Sequence, residues 1–344
     1  MGVIDQFTDG AVALWARIWT DKGGWNPEHH AVNFGDGGNF DWDQKNSGFE
    51  AGVDFAVTDE FSLGLLIGKS EADVDLDNPG VGSADLDADT WGLYGTWISP
   101  TGFYLDASYR WMSFDVDMNS VAGAMALDGH AESFNVELGY AWTLSGGLKI
   151  EPQFQYTKTS VDDMDVLETS SGMTFHNEGG DSSRGRLGVA VRKSFGEADA
   201  GWLWTPYLTL SAVREFDGET VYAINDVFHG ETTLEGTSTL LELGFTARHQ
   251  NWSIYGGLNW QDGGAVNNFF GGQLGVRYTF GGPAPVAPPP PPPPAKTCAD
   301  LDDDGDGINN CDDTCPGSPA GEAVGPNGCP VPPEPVMEPK PFRG

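Results

Sequence analysis

Gln273-Leu274-Gly275-Val276-Arg277-Tyr278-Thr279-Phe280 alternates without a break, with Leu274, Val276, Tyr278 and Phe280 on one parity and Gln273, Gly275, Arg277 and Thr279 on the other. A period of two is the pattern of a strand whose two faces meet different media. Here the apolar face ends in two aromatics and the opposite face carries Gln and Arg. Lipid on one side and a wet lumen on the other suit it better than the edge of a soluble sheet.

The same pattern runs back through the chain. Strand-like stretches occupy 11 to 20, 47 to 57, 61 to 72, 88 to 98, 102 to 114, 131 to 143, 147 to 160, 183 to 195, 201 to 214, 237 to 249, 251 to 261 and 269 to 280. Their number is even, and the connections alternate in length. Thr58-Asp59, Ser99 to Thr101, Ser145-Gly146, Gly196 to Ala200 and His249-Gln250 are short, whereas 21 to 46, 73 to 87, 115 to 130, 161 to 182 and 215 to 236 are long. Short periplasmic turns opposite long extracellular loops are the plan of an outer-membrane barrel. A soluble sandwich has no reason to keep that alternation.

Charge parity sharpens the reading, because an Arg facing lipid at the bilayer midplane costs roughly 2–4 kcal/mol. Phe134, Val136, Leu138, Tyr140 and Trp142 share one parity and leave Ser133, Asn135 and Glu137 on the other. Leu187, Val189 and Val191 point one way, and Arg184, Arg186 and Arg192 the opposite way. Arg17, Arg110, Arg248 and Arg277 also oppose the apolar face of their strands, together with Glu50, Asp54, Asp106, Glu151 and Glu242. The expected lumen is polar and of mixed sign, with Trp and Phe outward.

Composition agrees. No apolar run approaches the 18 or so residues that a transmembrane helix requires, while 48 Gly and 12 Trp favour glycine-rich alternating strands with aromatic girdles. The net charge of -34 argues against a polyanionic partner, so no nucleic acid is expected, and cation binding suits the chain better. Met1 to Gly10 shows neither the basic start nor the apolar core of a signal peptide. Since a barrel must be exported, the chain reads as a processed or recombinant fragment, or one with a miscalled start. Cys298, Cys311, Cys315 and Cys329 all follow the last strand and set off a small module. Disulfides there need an oxidising compartment such as the periplasm. Four cysteines allow three connectivities, and local order suggests Cys298 with Cys311 and Cys315 with Cys329.

Short motifs then carry a family resemblance. Leu14-Trp15-Ala16-Arg17 resembles the first strand of the autotransporter translocator domain, and Gly48-Phe49-Glu50-Ala51-Gly52-Val53-Asp54-Phe55 its second. Gly92-Leu93-Tyr94-Gly95-Thr96-Trp97 followed by Gly102-Phe103-Tyr104-Leu105-Asp106 looks like its central hairpin. Glu151-Pro152-Gln153, Gly185-Arg186-Leu187-Gly188 and Pro206-Tyr207 are similar too, and the ending through Phe280 resembles the last-strand signal read by the barrel assembly machinery at Gln273, Gly275, Tyr278 and Phe280. The resemblance covers about 11 to 280. It implies an all-β fold, a twelve-stranded antiparallel transmembrane up-and-down β-barrel that is monomeric in the outer membrane of a Gram-negative bacterium. Its partners would be outer-membrane lipid, the assembly machinery and an N-terminal passenger carried to the cell surface. Two features depart from the family pattern: only Met1 to Gly10 stand before the first strand, where a passenger and a pore-threading helix are usual, and the chain continues past the terminal aromatic.

That continuation divides into a proline-rich linker (281–297), a cysteine module (298–330) and a disordered tail (331–344). Pro283 to Pro294 is almost entirely proline, an extended spacer of about 3.1 Å per residue. An even strand count puts this tail in the periplasm with the N-terminus, while the long loops are extracellular. Within the module, Asp302, Asp304, Asp306, Gly307, Ile308, Asn310 and Asp313 stand at positions 1, 3, 5, 6, 7, 9 and 12 of a calcium loop. Alternate carboxylates converge on one hard cation, Gly307 permits the turn, and the Ile308 carbonyl supplies the seventh-position ligand. Asp313 replaces the usual Glu, which weakens the bidentate closure or tightens the loop. A register starting at Asp300 would place Ile308 and Cys311 at side-chain ligand positions and is rejected. The run through Cys315-Pro316, with Gly328-Cys329-Pro330, resembles a thrombospondin type 3 repeat, of the sort that links barrel to peptidoglycan-binding domain in OmpA-like proteins. The resemblance implies Ca2+ as cofactor; the bland alternative is an acidic solvated linker.

Other functions compete less well. Asp73, Asp75, Asp77, Asp85, Asp87 and Asp89, with Asp115 and Asp117 nearby, form an acidic rim that suits cation passage or plain solvation. A cation-permeable pore, or an OmpA-like anchor without passenger, is the first alternative. A loop-borne hydrolase is the second: Gly180-Asp181-Ser182 has the look of an esterase block without a partner segment, and His29, His30, His130, His176 and His229 lie on long loops. The expectation is no enzyme and no catalytic residue.

Overall fold

The computed structural model describes residues 11–31, 41–76, 82–120, 123–166, 172–198, 200–280 and 298–332. The chain divides into two compact units, Met1–Ala284 and Pro285–Gly344.

The first unit is built on twelve long strands: β1 (Val12–Trp25), β2 (Trp42–Ala56), β3 (Phe61–Leu76), β4 (Gly82–Ile98), β5 (Phe103–Ser120), β6 (Gly123–Tyr140), β7 (Leu148–Val161), β8 (Phe175–Lys193), β9 (Leu203–Glu215), β10 (Gly236–His249), β11 (Trp252–Gly263) and β12 (Val266–Phe280). Each pairs antiparallel with the next. β12 closes the ring on β1 with Phe280 opposite Val12 and Gly275 opposite Arg17. Closure leaves no free edge, the condition for backbone to cross hydrocarbon. No helix among the described residues is long and apolar enough to cross a membrane, which says nothing of a barrel.

The alternation holds as expected. On β12, Leu274, Val276 and Phe280 are exposed on the outer face, and Tyr278 is wedged edge-on between Trp252 and Phe280. Leu63, Leu65 and Ile67 on β3, Leu187 and Val189 on β8, and Leu241 and Leu243 on β10 continue the apolar belt. From Phe270 to Phe280 the strand runs roughly 34 Å, which at a tilt of about 40° gives an apolar height near 25 Å. Among the described residues no large side chain is fully buried. The unit has a lined lumen in place of a hydrophobic core.

Two expectations need correction. Tryptophan is not uniformly outward: Trp15 and Trp19 share the inward parity of Arg17, and Trp15 Nε1 donates to Tyr94 Oη. The long connections are also shorter as loops than the sequence suggests. Asp73 to Leu76 and Gly82 to Asp87 are strand, as are Asp115 to Ser120 and Gly123 to His130. Between β9 and β10 a hairpin of Glu219–Ile224 and Phe228–Thr233 pairs with β8 on one side and with Glu28–Ala31 on the other. It rises where the β11–β12 connection is only the Gly264-Ala265 turn.

The second unit, described from Cys298 to Pro332, is a loop-rich module with one 3-10 turn, Cys298–Asp300. The expected linker and residues 333–344 lie outside the described residues.

Candidate functional site

Glycine shapes the lumen. Tyr94 lies over Gly64 in register, where a Cβ would collide with the phenol ring, and this lets the Tyr94 hydroxyl donate to Asp54. Tyr104 over Gly139, Tyr207 over Gly244 and Tyr255 over Gly275 repeat the arrangement. Gly68 serves the same end for charge: its Cβ would stand 2.9 Å from Glu50 Cγ, so the bare backbone gives the Glu50 side chain room to cross β3.

Two groups of paired charges stand out on the inner wall, apart from the Arg184–Glu215 pair at 3.3 Å. In the first, Arg17 Nε donates to Glu50 Oε2 at 2.8 Å, Arg110 Nη1 donates to Glu50 Oε1 at 2.7 Å, and Arg17 Nη1 reaches Gln273 Oε1 at 3.2 Å. Arg277 pairs with Asp54 beside them. One carboxylate thus ties three strands, β1, β2 and β5, and Arg17 extends the link to Gln273 on β12. In the second group Arg186 on β8 bridges Glu137 on β6 and Glu242 on β10, each at 2.8 Å, while Arg192 pairs with Glu151. Glu50, Asp54, Glu151 and Arg192 are buried. In such partly desolvated places unpaired charge is costly, so the pairing fixes side chains across the wall.

The residues singled out as an esterase block are otherwise engaged. Asp181 accepts from Lys158 Nζ at 2.9 Å, and Ser182 Oγ donates to Glu215 Oε2 at 2.8 Å, with no histidine in the pair. The acidic rim lies on the outer face of the strand extensions, where Asp73 stands opposite Asp85 and Asp85 opposite Asp117. Asp77 falls outside the described residues.

In the second unit, disulfides join Cys298 to Cys311 and Cys315 to Cys329. Asp302, Asp304 and Asp306 come together, each offering a carboxylate oxygen within 4.8 Å of the others. Asp302 accepts from Gly305 N (2.9 Å) and Gly307 N (3.0 Å), and Asp306 Oδ1 from Ile308 N (2.8 Å). Asp306 Oδ2 is buried without a hydrogen-bond partner. Asn310 Oδ1 accepts from Asp303 N at 3.0 Å, and Asp313 Oδ1 from Cys315 N at 2.8 Å, so these two also serve the loop's own backbone. The sequence did not reveal what the second disulfide loop contributes. Gly317 N and Ser318 N both donate to Asp304 Oδ2 at 2.8 Å, and the Gly317 bond is the main reason its pKa is lowered below 3.8. Ser318 is buried and donates to Gly328 O at 2.5 Å. Gly328 has φ 75, and a Cβ there would collide with Asp313 and stand 3.2 Å from Asp306 Oδ2. Only glycine brings that loop so close.

Comparison with known proteins matches this geometry. The autotransporter beta-domain model matches residues 22–259. The pertactin autotransporter of Bordetella parapertussis is 32% identical over 249 residues, 70% of this chain and 26% of that protein. The probable autotransporter YcgV of Escherichia coli is 29% identical over 196 residues, 54% of this chain and 20% of its own. The chain thus spans about a quarter of the length of these relatives. Among solved structures, the beta domain of the Bordetella autotransporter BrkA superposes with TM-score 0.60 at 21% identity, covering 79% of this chain and 100% of that one. The transport unit of AIDA-I from Escherichia coli gives TM-score 0.62 at 16% identity, covering 78% and 90%. With a ring of twelve strands, a charge-paired lumen and a family match over most of its length, the chain belongs to the autotransporter β-domain family, outer-membrane β-barrels of Gram-negative bacteria.

Proposed function

We propose that residues 11–280 are the monomeric translocator and outer-membrane anchor of an N-terminal passenger, with the long connections outside the cell and residues 281–344 in the periplasm. The observation that carries this is the closed ring with a polar, internally neutralised lumen. Arg17, Arg110, Arg186, Arg192 and Arg277 all have carboxylate partners, so an extended segment would meet wet, balanced walls. This favours peptide passage over cation selectivity, which calls for a net excess of one sign. Gln273, Gly275, Tyr278 and Phe280 are the strand through which the assembly machinery would take hold. The test is to place a signal peptide and an epitope-tagged passenger ahead of Ala11. Tag digested by external protease on intact cells supports translocation, and tag retained in the periplasm beside a correctly inserted barrel opposes it.

For residues 298–330 we infer calcium binding by Asp302, Asp304 and Asp306, with the Ile308 carbonyl, Asn310 and Asp313 completing the shell. The converging carboxylates and the orphaned Asp306 oxygen support this, since an unpaired buried acceptor beside two carboxylates favours a hard cation. Calcium would supply cohesion that so few apolar groups cannot. Calorimetry on the full chain with tail intact, against a chain ending at Phe280, tests it: calcium heat should vanish with the tail.

A further inference from the structure

On the outer face of the barrel, next to the closing seam, a groove of about 600 Å³ runs across β12, β1, β2 and β3. Its lower wall is the register row Leu274, Ile18, Phe49 and Lys69, and its upper wall is Gly272, Thr20, Ser47 and Glu71. Ile18, Phe49 and Leu274 belong to the lipid-facing belt and are about half exposed or more. Between the two walls runs the register row Gln273, Trp19, Gly48 and Ser70, of inward parity, which also lines the groove, and the outward rows on both sides of it make the groove open outward. On β1 and β2 it therefore lies where the outward apolar residues give way to the hydroxyl-bearing Thr20 and Ser47, while on β12 the apolar belt continues to Phe270.

The row above adds an anomaly. Lys22 and Lys45 face each other directly across β1 and β2. Like charges at directly opposed positions destabilise a sheet unless something lies between them. Elsewhere on the outer face of the strand extensions the opposed pairs of like charge that are described are acidic, such as Asp85 with Asp117 and Asp115 with Asp128, while Lys45 also stands opposite Asp73 and Lys69 opposite Asp89. The nearby carboxylates sit to one side, on β3 and β4: Asp73 is 3.6 Å from Lys45 Nζ and Asp89 3.0 Å from Lys69 Nζ, with both pairs more than 60% exposed. Such open pairs are worth little. On the β12 side the neighbour in the row is Phe270.

We propose that this groove docks one phosphate-bearing anionic membrane lipid. Its phosphate sits at the Lys22–Lys45 pair above Thr20 and Ser47, and its acyl chain descends over Ile18, Phe49 and Leu274. The lipid relieves the opposed lysines and covers the seam, where β1 and β12 join the ends of the barrel.

The full chain, extracted in mild detergent, is incubated with labelled phosphatidylglycerol and lipid retention is read by native mass spectrometry. Two lysines near an anionic surface correspond to roughly 30-fold in retention. Wild type should keep one lipid, and K22Q with K45Q should lose it by about that factor. The matching pair K22R with K45R should retain it, and K149Q with K193Q, the same charge change at the other end of the barrel, should behave as wild type. L274W, which fills the groove without touching a charge, should also lose lipid. Equal retention by wild type and the K22Q/K45Q pair would overturn the proposal, as would displacement by millimolar inorganic phosphate, which would mark a free-anion site. Lipid lost equally from the K149Q/K193Q control would reduce the effect to bulk charge.

Discussion

Asp304 shows how far a single residue could be read. Its convergence with Asp302 and Asp306 was legible because in Asp302-x-Asp304-x-Asp306-Gly307 the alternate positions of one short loop are local neighbours. That Gly317 and Ser318 clamp its carboxylate was not legible, because those amides arrive from another disulfide loop. Asp304→Ala should abolish most calcium heat, whereas Asp303→Ala, whose exposed side chain is set off from the cluster, should change it little. Equal losses for both would return the segment to an acidic linker. The lowered pKa of Asp304 also fixes a pH direction. A group depressed in the folded state stabilises above its unfolded pKa and loses that contribution as pH falls through the folded value. Amide protection at Gly317 and Ser318 should therefore hold at neutral pH and fall only once the solution is acidified below the ordinary carboxylate range. In the lumen, Glu50→Ala leaves Arg17 and Arg110 without their shared carboxylate. The expected loss is about 1–3 kcal/mol in urea unfolding, less than in a dry interior because both guanidiniums reach lumen water.

At the scale of elements, all twelve strands were legible where one face meets lipid, because there the period-two contrast is enforced residue by residue. The extensions of β3 to β6 were not. Beyond the belt their outer positions carry Asp in place of Leu or Trp, so Asp85-Leu86-Asp87 reads as loop although it is paired strand. The Tyr–Gly pairs were hidden for a different reason: Gly64 and Tyr94 are neighbours only once register is known. The last strand is where assembly and closure meet. Removing 281–344 should leave heat-modifiable electrophoretic mobility unchanged, since every barrel pairing survives. Tyr278→Ala with Phe280→Ala removes the Trp252–Tyr278–Phe280 stack and should impair assembly. Loss of insertion on tail deletion alone would show the unit boundary to be misplaced.

For the whole molecule, Arg parity gave a polar lumen, but not which charges pair across it. Arg110 meeting Glu50 over two intervening strands, and Arg186 bridging Glu137 and Glu242, depend on the closed curvature of the ring. Passage of a passenger through this lumen is the role proposed for the whole ring. Its most direct test is a passenger stalled by a folded domain, with a photo-crosslinking residue at Gln155 on the inner wall or at Leu138 on the lipid face. Adducts with the passenger from Gln155 and none from Leu138 are predicted, and adducts from Leu138 alone, or none from Gln155 while the passenger is demonstrably stalled, would contradict it.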